Sequence, residues 1–250
     1  TGRNHGNKRS DFMKNIHIPI VPPFEKPDPA SDLTVFSPVK DYVPEYDTKD
    51  YLSQCMEYAI KYGTYLVPAV FSAFDYLCMT IIDREGNILG AQRATHLNSL
   101  ALGHFRKAES LKIFSTELGN IFLCVDVDIY HPYLLRMAKA MGAQLVVSSQ
   151  YFQNRDYNRN RILSGPWNTA QQHSLVVASA SNKRACVTAP CAATEDGSGF
   201  VVYPTPTLTL SAQVDVEAAV PAVFDTPLPS FLSHGFMRTN AEYLMGGGKE

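Results

Sequence analysis

The chain has 250 residues and a mass of 27.7 kDa, with 45% apolar and 18% charged residues; this suits one large α/β domain and excludes a disordered or fibrous chain. A formal net charge of −2 and a pI of about 6.4 argue against nucleic acid or an acidic membrane surface as the main partner. No apolar run approaches the roughly 20 residues of a membrane helix, and no signal-peptide core is visible, so no membrane span is expected.

In chain order, residues 1–15 read as a polar arm in which Arg3, Lys8, Arg9 and Lys14 face one acid, Asp11. A solvated tail is the simplest account; a partner-bound arm or a remnant of organellar processing are the alternatives. Asn15–Phe24 reads as a strand held short or at an edge by Pro19, Pro22 and Pro23, and residues 25–32, with Pro27 and Pro29, as a linker. Residues 32–36 form a strand. Thr48–Tyr62 is a helix capped by Thr48 or Asp50 and stopped by Gly63, with Leu52, Cys55, Met56, Ala59 and Ile60 on one face. Strands follow at 65–71 and 77–82, and Asp83–Asn87 turns the second into a hairpin with 88–93.

A short strand is expected at 113–115 and an apolar one at 120–127. A helix with proline in its first turn spans 132–141, and a strand spans 143–149. Strand, helix and strand in that order mark a βαβ layer. After a polar loop (150–165) come a helix at 167–174, a strand at 175–179, a hairpin whose turn Glu195–Gly199 leads into 200–203, and a strand at 208–214. The domain reading is an extended arm (1–31), one domain (32–220) and an extended tail (221–250) ending in Gly246–Gly248, which has no strand–helix frame and is no phosphate loop. The cysteines Cys55, Cys78, Cys124, Cys186 and Cys191 are odd in number and form no CxxC pair. They read as free thiols in a reducing, intracellular compartment, either cytoplasm or an organelle interior such as a mitochondrion.

Five segments in order resemble the nitrilase, or carbon–nitrogen hydrolase, superfamily. Ile82–Gly90 with Arg93-Ala-Thr-His-Leu97 is similar to "D-x-x-G-x-I-x-G-x-Y-R-K-x-H-L". The run Gly119–Pro132 is similar to "G-x-I-G-x-x-I-C-Y-D-x-x-F-P-E". Arg136 with Gly142-Ala143, Trp167–Ser181 and Asp196–Pro204 match three further stretches, so the resemblance covers roughly residues 32–215. It implies an αββα sandwich that pairs through its helices into a dimer. Where the family has a long helix between its first two strands, only about eight residues join Phe24 to Leu33. The first outer helix is therefore expected to be absent, and an apolar sheet face to be left for a partner chain.

The family's chemistry requires a cysteine nucleophile, a glutamate base and a lysine that steadies the oxyanion. Matched residue by residue, the cysteine falls on Asp126, the lysine on Ala94 and the glutamate on Pro38; a second family glutamate falls on Gln171. Cys124, on the same strand face as Asp126, is the only candidate thiol nearby. The resemblance thus implies a degenerate site with no catalytic residues expected, no cofactor and no metal.

Asp126 and Asp128 as a cation pair lack a third ligand; His96 and His131 match no metal spacing; and Arg155, Arg159 and Arg161 read as a solvated loop. The leading expectation is a non-catalytic subunit of a homo- or hetero-oligomer, a dimer or larger, with other protein subunits as partners. A divergent amidase-like hydrolase, or a small-molecule-binding module using the old pocket, is the alternative.

Overall fold

The computed structural model describes residues 15–153, 156–205 and 209–217. In chain order these form β1 (Asn15–Val21), β2 (Leu33–Phe36), α1 (Glu45–Tyr62), β3 (Tyr65–Val67), β4 (Phe71–Ala73), β5 (Tyr76–Ile82) and β6 (Ile88–Arg93). Next come β7 (Ile113–Thr116), β8 (Gly119–Val125), a 3₁₀ turn (Asp126–Tyr130), α2 (Pro132–Ala140) and β9 (Leu145–Gln150). A short α3 (Asn160–Ile162) runs through a wide π turn (Leu163–Trp167) into α4 (Asn168–His173). The described chain closes with β10 (Val176–Ser181), β11 (Ala185–Thr188), β12 (Phe200–Thr205) and β13 (Leu210–Asp215).

One sheet has the order β13-β1-β2-β3-β5-β4, with β6 also paired to β5; the other has the order β12-β11-β10-β9-β8-β7. The inward side chains of both sheets, Ile16, Ile18, Ile20, Met79, Ile81, Leu123, Val125 and Val147 among them, form one apolar core. A second cluster lies between the second sheet and the helices: Phe122, Cys124 and Val146 pack with Leu134, Leu135 and Ala170. In a third, Phe36, Leu66 and Ile82 of the first sheet meet Cys55, Tyr58 and Ala59 of α1. The layers are therefore helix, sheet, sheet, helix, the αββα sandwich that the resemblance implies.

The structure changes several local expectations. The strand read as short or at an edge ends at Val21, before Pro22 and Pro23, but lies inside its sheet: β1 pairs antiparallel with β13 from Asn15 to Ile20 and parallel with β2 from Ile20. Pro19 is tolerated because the β2 ladder starts only at Ile20↔Val35. Below that point Asp32 takes over, donating its N–H to His17 O at 3.0 Å and accepting from His17 N through its carboxylate at 2.9 Å. Residues 15–21 of the presumed arm thus belong to the sandwich.

Helix α1 starts three residues earlier than read. Pro44 rather than Thr48 precedes its first turn, and the Thr48 hydroxyl bonds the carbonyls of Pro44 and Ser72 instead of capping. Its buried face is Thr48, Cys55, Tyr58 and Ala59, and Ile60 is exposed. Ile60 borders the hairpin turn, where a Cβ on Gly86 (φ +84°) would lie 2.8 Å from its side chain. The strand read at 65–71 breaks into β3 and β4 at Pro68, and part of the 150–165 loop is helical.

No helix joins β1 to β2. The sheet face left by that gap is nevertheless not apolar. At the β13–β1 end it presents Asn15, His17, Ser211 and Gln213, with His17 Nε2 hydrogen-bonded to the Ser211 hydroxyl, while Pro19, Val21 and Pro27 are buried. Polar side chains at alternate positions make a helix cover unnecessary there. No described helix is long and apolar enough to cross a membrane. The basic arm (1–14), Arg155 of the arginine cluster, residue 208 of the last strand reading and the tail (221–250) lie outside the described residues.

Candidate active site

Strand β8 is buried on both faces and stops abruptly. Asp126, the next residue, has φ +46°, and the chain turns at once through the 3₁₀ turn into α2. A non-glycine residue held left-handed costs on the order of 1 kcal/mol and marks a sharp strand-to-helix elbow, a geometry that lifts one side chain clear of the strand's alternation. Val125 still points into the inter-sheet core and Cys124 into the cluster under α2. Asp126 does neither; its carboxylate accepts a hydrogen bond from Asn98 Nδ2 at 2.8 Å. Cys124 and Asp126 therefore differ in surroundings, although strand periodicity alone would put them on one face.

Burial raises the Asp126 carboxyl from its usual 3.8 to about 6. Asn98 and the N–H groups of Tyr151 and Val127 oppose the rise, and the nearby Asp128 charge adds to it. Among the described residues no cation appears in that set. Asp128, fully buried, is bonded on every side: Thr95 N donates to it at 3.1 Å, Thr95 Oγ1 at 2.7 Å, His96 N at 2.8 Å and His96 Nδ1 at 2.9 Å. With Nδ1 donating, His96 Nε2 accepts from the Tyr133 hydroxyl at 2.6 Å. The His131 ring stacks on His96 with centroids 3.5 Å apart, and burial, followed by the electrostatic influence of the neighbouring His96, lowers the His131 pKa. The two acids clamp the segment after β6 onto the elbow after β8. Asp128 is thus engaged by Thr95 and His96.

Ala94 is the first residue past β6 and is fully buried. Its N–H donates to Leu77 O and its carbonyl accepts from Ala108 N, each at 2.8 Å. It belongs to the inter-sheet core, against which Leu97, Phe105 and Tyr42 also pack. Arg93 lies on the opposite side of the strand, exposed, with its guanidinium 4.2 Å from the Tyr76 ring centroid. Pro38 is buried two residues past the end of β2. Pro38, Ala94 and Asp126 thus each stand just beyond the C-terminal end of a strand. Gln171 is engaged elsewhere: its Nε2 donates to Ala189 O at 2.9 Å and its Oε1 accepts from Cys191 N at 2.8 Å.

Cys124 is fully buried, and burial with Asp128 and Asp126 nearby holds its thiol far above the usual value, hence protonated. Sequence reasoning missed Asn98, Thr95 and the His96–Tyr133 link. The available signal was the polar residues Thr95, His96 and Asn98 directly after β6.

No family model and no curated protein matches the chain. Solved structures do. A carbon–nitrogen hydrolase from Helicobacter pylori G27 superposes with a TM-score of 0.67 at 13% identity, over 82% of this chain and 91% of that one. Nit3 of Saccharomyces cerevisiae, a member of branch 10 of the nitrilase superfamily, gives 0.69 at 16%, over 90% and 98%. An amidase from Nesterenkonia sp. AN1, solved in complex with butyramide, gives 0.63 at 16%, over 84% and 94%. This chain has the nitrilase fold. Within the nitrilase fold, the elbow after β8 and the segment after β6 are the elements that carry Asp126 and Ala94.

Proposed function

We propose that this chain is a non-catalytic nitrilase-fold subunit that acts as a structural component of a homo- or hetero-oligomer. The observation that carries the reading is the identity and surroundings of Asp126 and Ala94. The resemblance assigns these positions to a nucleophile and to an oxyanion-stabilising cation. One is a carboxylate bonded to Asn98; the other is a methyl group inside an apolar core. Acyl transfer needs an activated nucleophile and a fixed positive donor at the developing oxyanion. Asp126 has no cation beside it among the described residues, Pro38 offers no base, and the Cys124 thiol is protonated in an apolar cluster.

The outer helices support the assembly part of the reading. Tyr133 and Met137 on α2 and Met141 at its C-terminal cap, four residues apart, are 53%, 53% and 50% exposed. A stripe of large apolar side chains on a helix face marks an interface, here the helix-to-helix pairing that the resemblance implies. The five free thiols, four of them buried, fit a reducing intracellular compartment.

Ammonia release from a panel of primary amides and nitriles tests the first part. The expected rate equals that of Asp126→Ala and Cys124→Ala controls. Turnover that either substitution abolishes would establish the divergent hydrolase instead.

A further inference from the structure

Away from Asp126 and Ala94, a cavity of about 550 Å³ opens between the first turns of α1, the turn after β1 and the segments after β2 and β3. That is the size of a small-molecule pocket. Its wall is aromatic: Phe24, Tyr42 and Tyr51 line it. Phe24 stands edge-on to Phe36 and Tyr51, with centroids 5.4 and 5.9 Å away. The Tyr51 hydroxyl accepts from Ala69 N at 3.0 Å, which fixes that ring in place.

The rim is charged. Asp47 and Asp50, three apart on α1, both line the cavity; both are exposed, and neither carboxylate has a side-chain partner among the described residues. Among the described residues, Lys40 is the single cation on the rim. Aromatic faces attract cations, and two unpaired carboxylates against one ammonium leave the mouth negative.

We propose that this cavity binds a small organic cation, an ammonium or amidinium group on an apolar body. The body lies against Phe24 and Tyr42, and the cation sits at Asp47 and Asp50. Neutral apolar molecules match the wall but gain nothing from the rim; anions are repelled by two charges and attracted by one. The site shares no residue with the elbow after β8, so it stands or falls independently of whether that elbow is catalytic.

The test is calorimetric titration of the whole protein with benzylamine and with its neutral analogue benzyl alcohol. Benzylamine is expected to bind saturably and about tenfold more tightly than the alcohol, and added salt should erode the difference. The double variant Asp47→Asn/Asp50→Asn should bring benzylamine down to the level of the alcohol, and Lys40→Gln should tighten it about threefold. Thermal unfolding of each variant separates this from helix stability, because Asp47 also lies in the first turn of α1. Equal binding of the two probes, no saturable benzylamine binding at millimolar concentration, or unchanged binding in the double variant would overturn the proposal.

Discussion

Asp126→Asn is expected to stabilise this protein at neutral and alkaline pH and to lose that advantage in acid. Burial raises the Asp126 carboxyl from 3.8 to about 6, so the folded state holds this proton more tightly than the unfolded chain does. Well below pH 3.8 both states are protonated and the site costs nothing. As pH rises from about 4 to 6 the unfolded chain ionises first, and stability falls. Above about pH 6 the loss levels off at about 3 kcal/mol, the shift taken at roughly 1.4 kcal/mol per unit.

An asparagine has the same shape, never ionises and can still accept from Asn98. Its amide hydrogens would face the N–H of Tyr151 or Val127, which costs about 1 kcal/mol of the gain. The net expectation is about 1–3 kcal/mol at pH 8 and none, or a slight loss, at pH 4. For 250 residues this corresponds to a rise in Tm of about 3–8 °C at pH 8. Thermal unfolding of both proteins across pH 4–8 is the assay. A variant that is less stable at pH 8, or one whose difference from the parent does not change with pH, would refute the account of this carboxyl.

Three other outcomes follow from the same geometry. Asp128→Asn should cost about 3–5 kcal/mol in urea unfolding, because an amide cannot accept all four donors that Thr95 and His96 present to the buried carboxylate; a loss under about 1 kcal/mol would mean the clamp carries little. Native thiol labelling should modify Cys191 first, since it alone among the five is not buried. Burial pushes Cys55 and Cys186 up to about 12 and Cys78 to about 11, so early labelling of Cys124 would contradict its placement under α2. Gln171→Ala should accelerate Cys191 labelling, because the Gln171 amide holds the turn that carries it; an unchanged rate would show that the turn is held by other contacts.

Local pattern was a good guide where one rule governed. The periodicity and Gly63 gave α1, the proline-led turn gave α2, and Asp83–Asn87 gave the β5–β6 hairpin, because each is decided within a few residues. At β1 it gave the end of the strand before Pro22 but not its place in the sheet, where proline's edge preference lost to pairing with β13, a segment nearly 200 residues away whose influence no local window contains. It failed again for the outer face of the first sheet: the missing helix was legible, but the polar Ser211 and Gln213 that replace its apolar contacts sit on a distant strand.

Positions 38, 94 and 126 are singled out by the family resemblance alone. Nothing local marks Asp126 as a left-handed elbow, because aspartate rarely announces φ > 0 as glycine does. The clamp from Asp128 to Thr95 and His96 joins residues more than 30 apart, and only the packed sandwich brings them together.

The most direct test of the subunit reading is the native mass of the purified protein at micromolar concentration, measured beside Met137→Lys/Met141→Lys. The account predicts a stable particle of at least twice the 27.7 kDa chain mass, which the double variant splits. A monomer at every concentration, with the variant indistinguishable from it, would contradict the account.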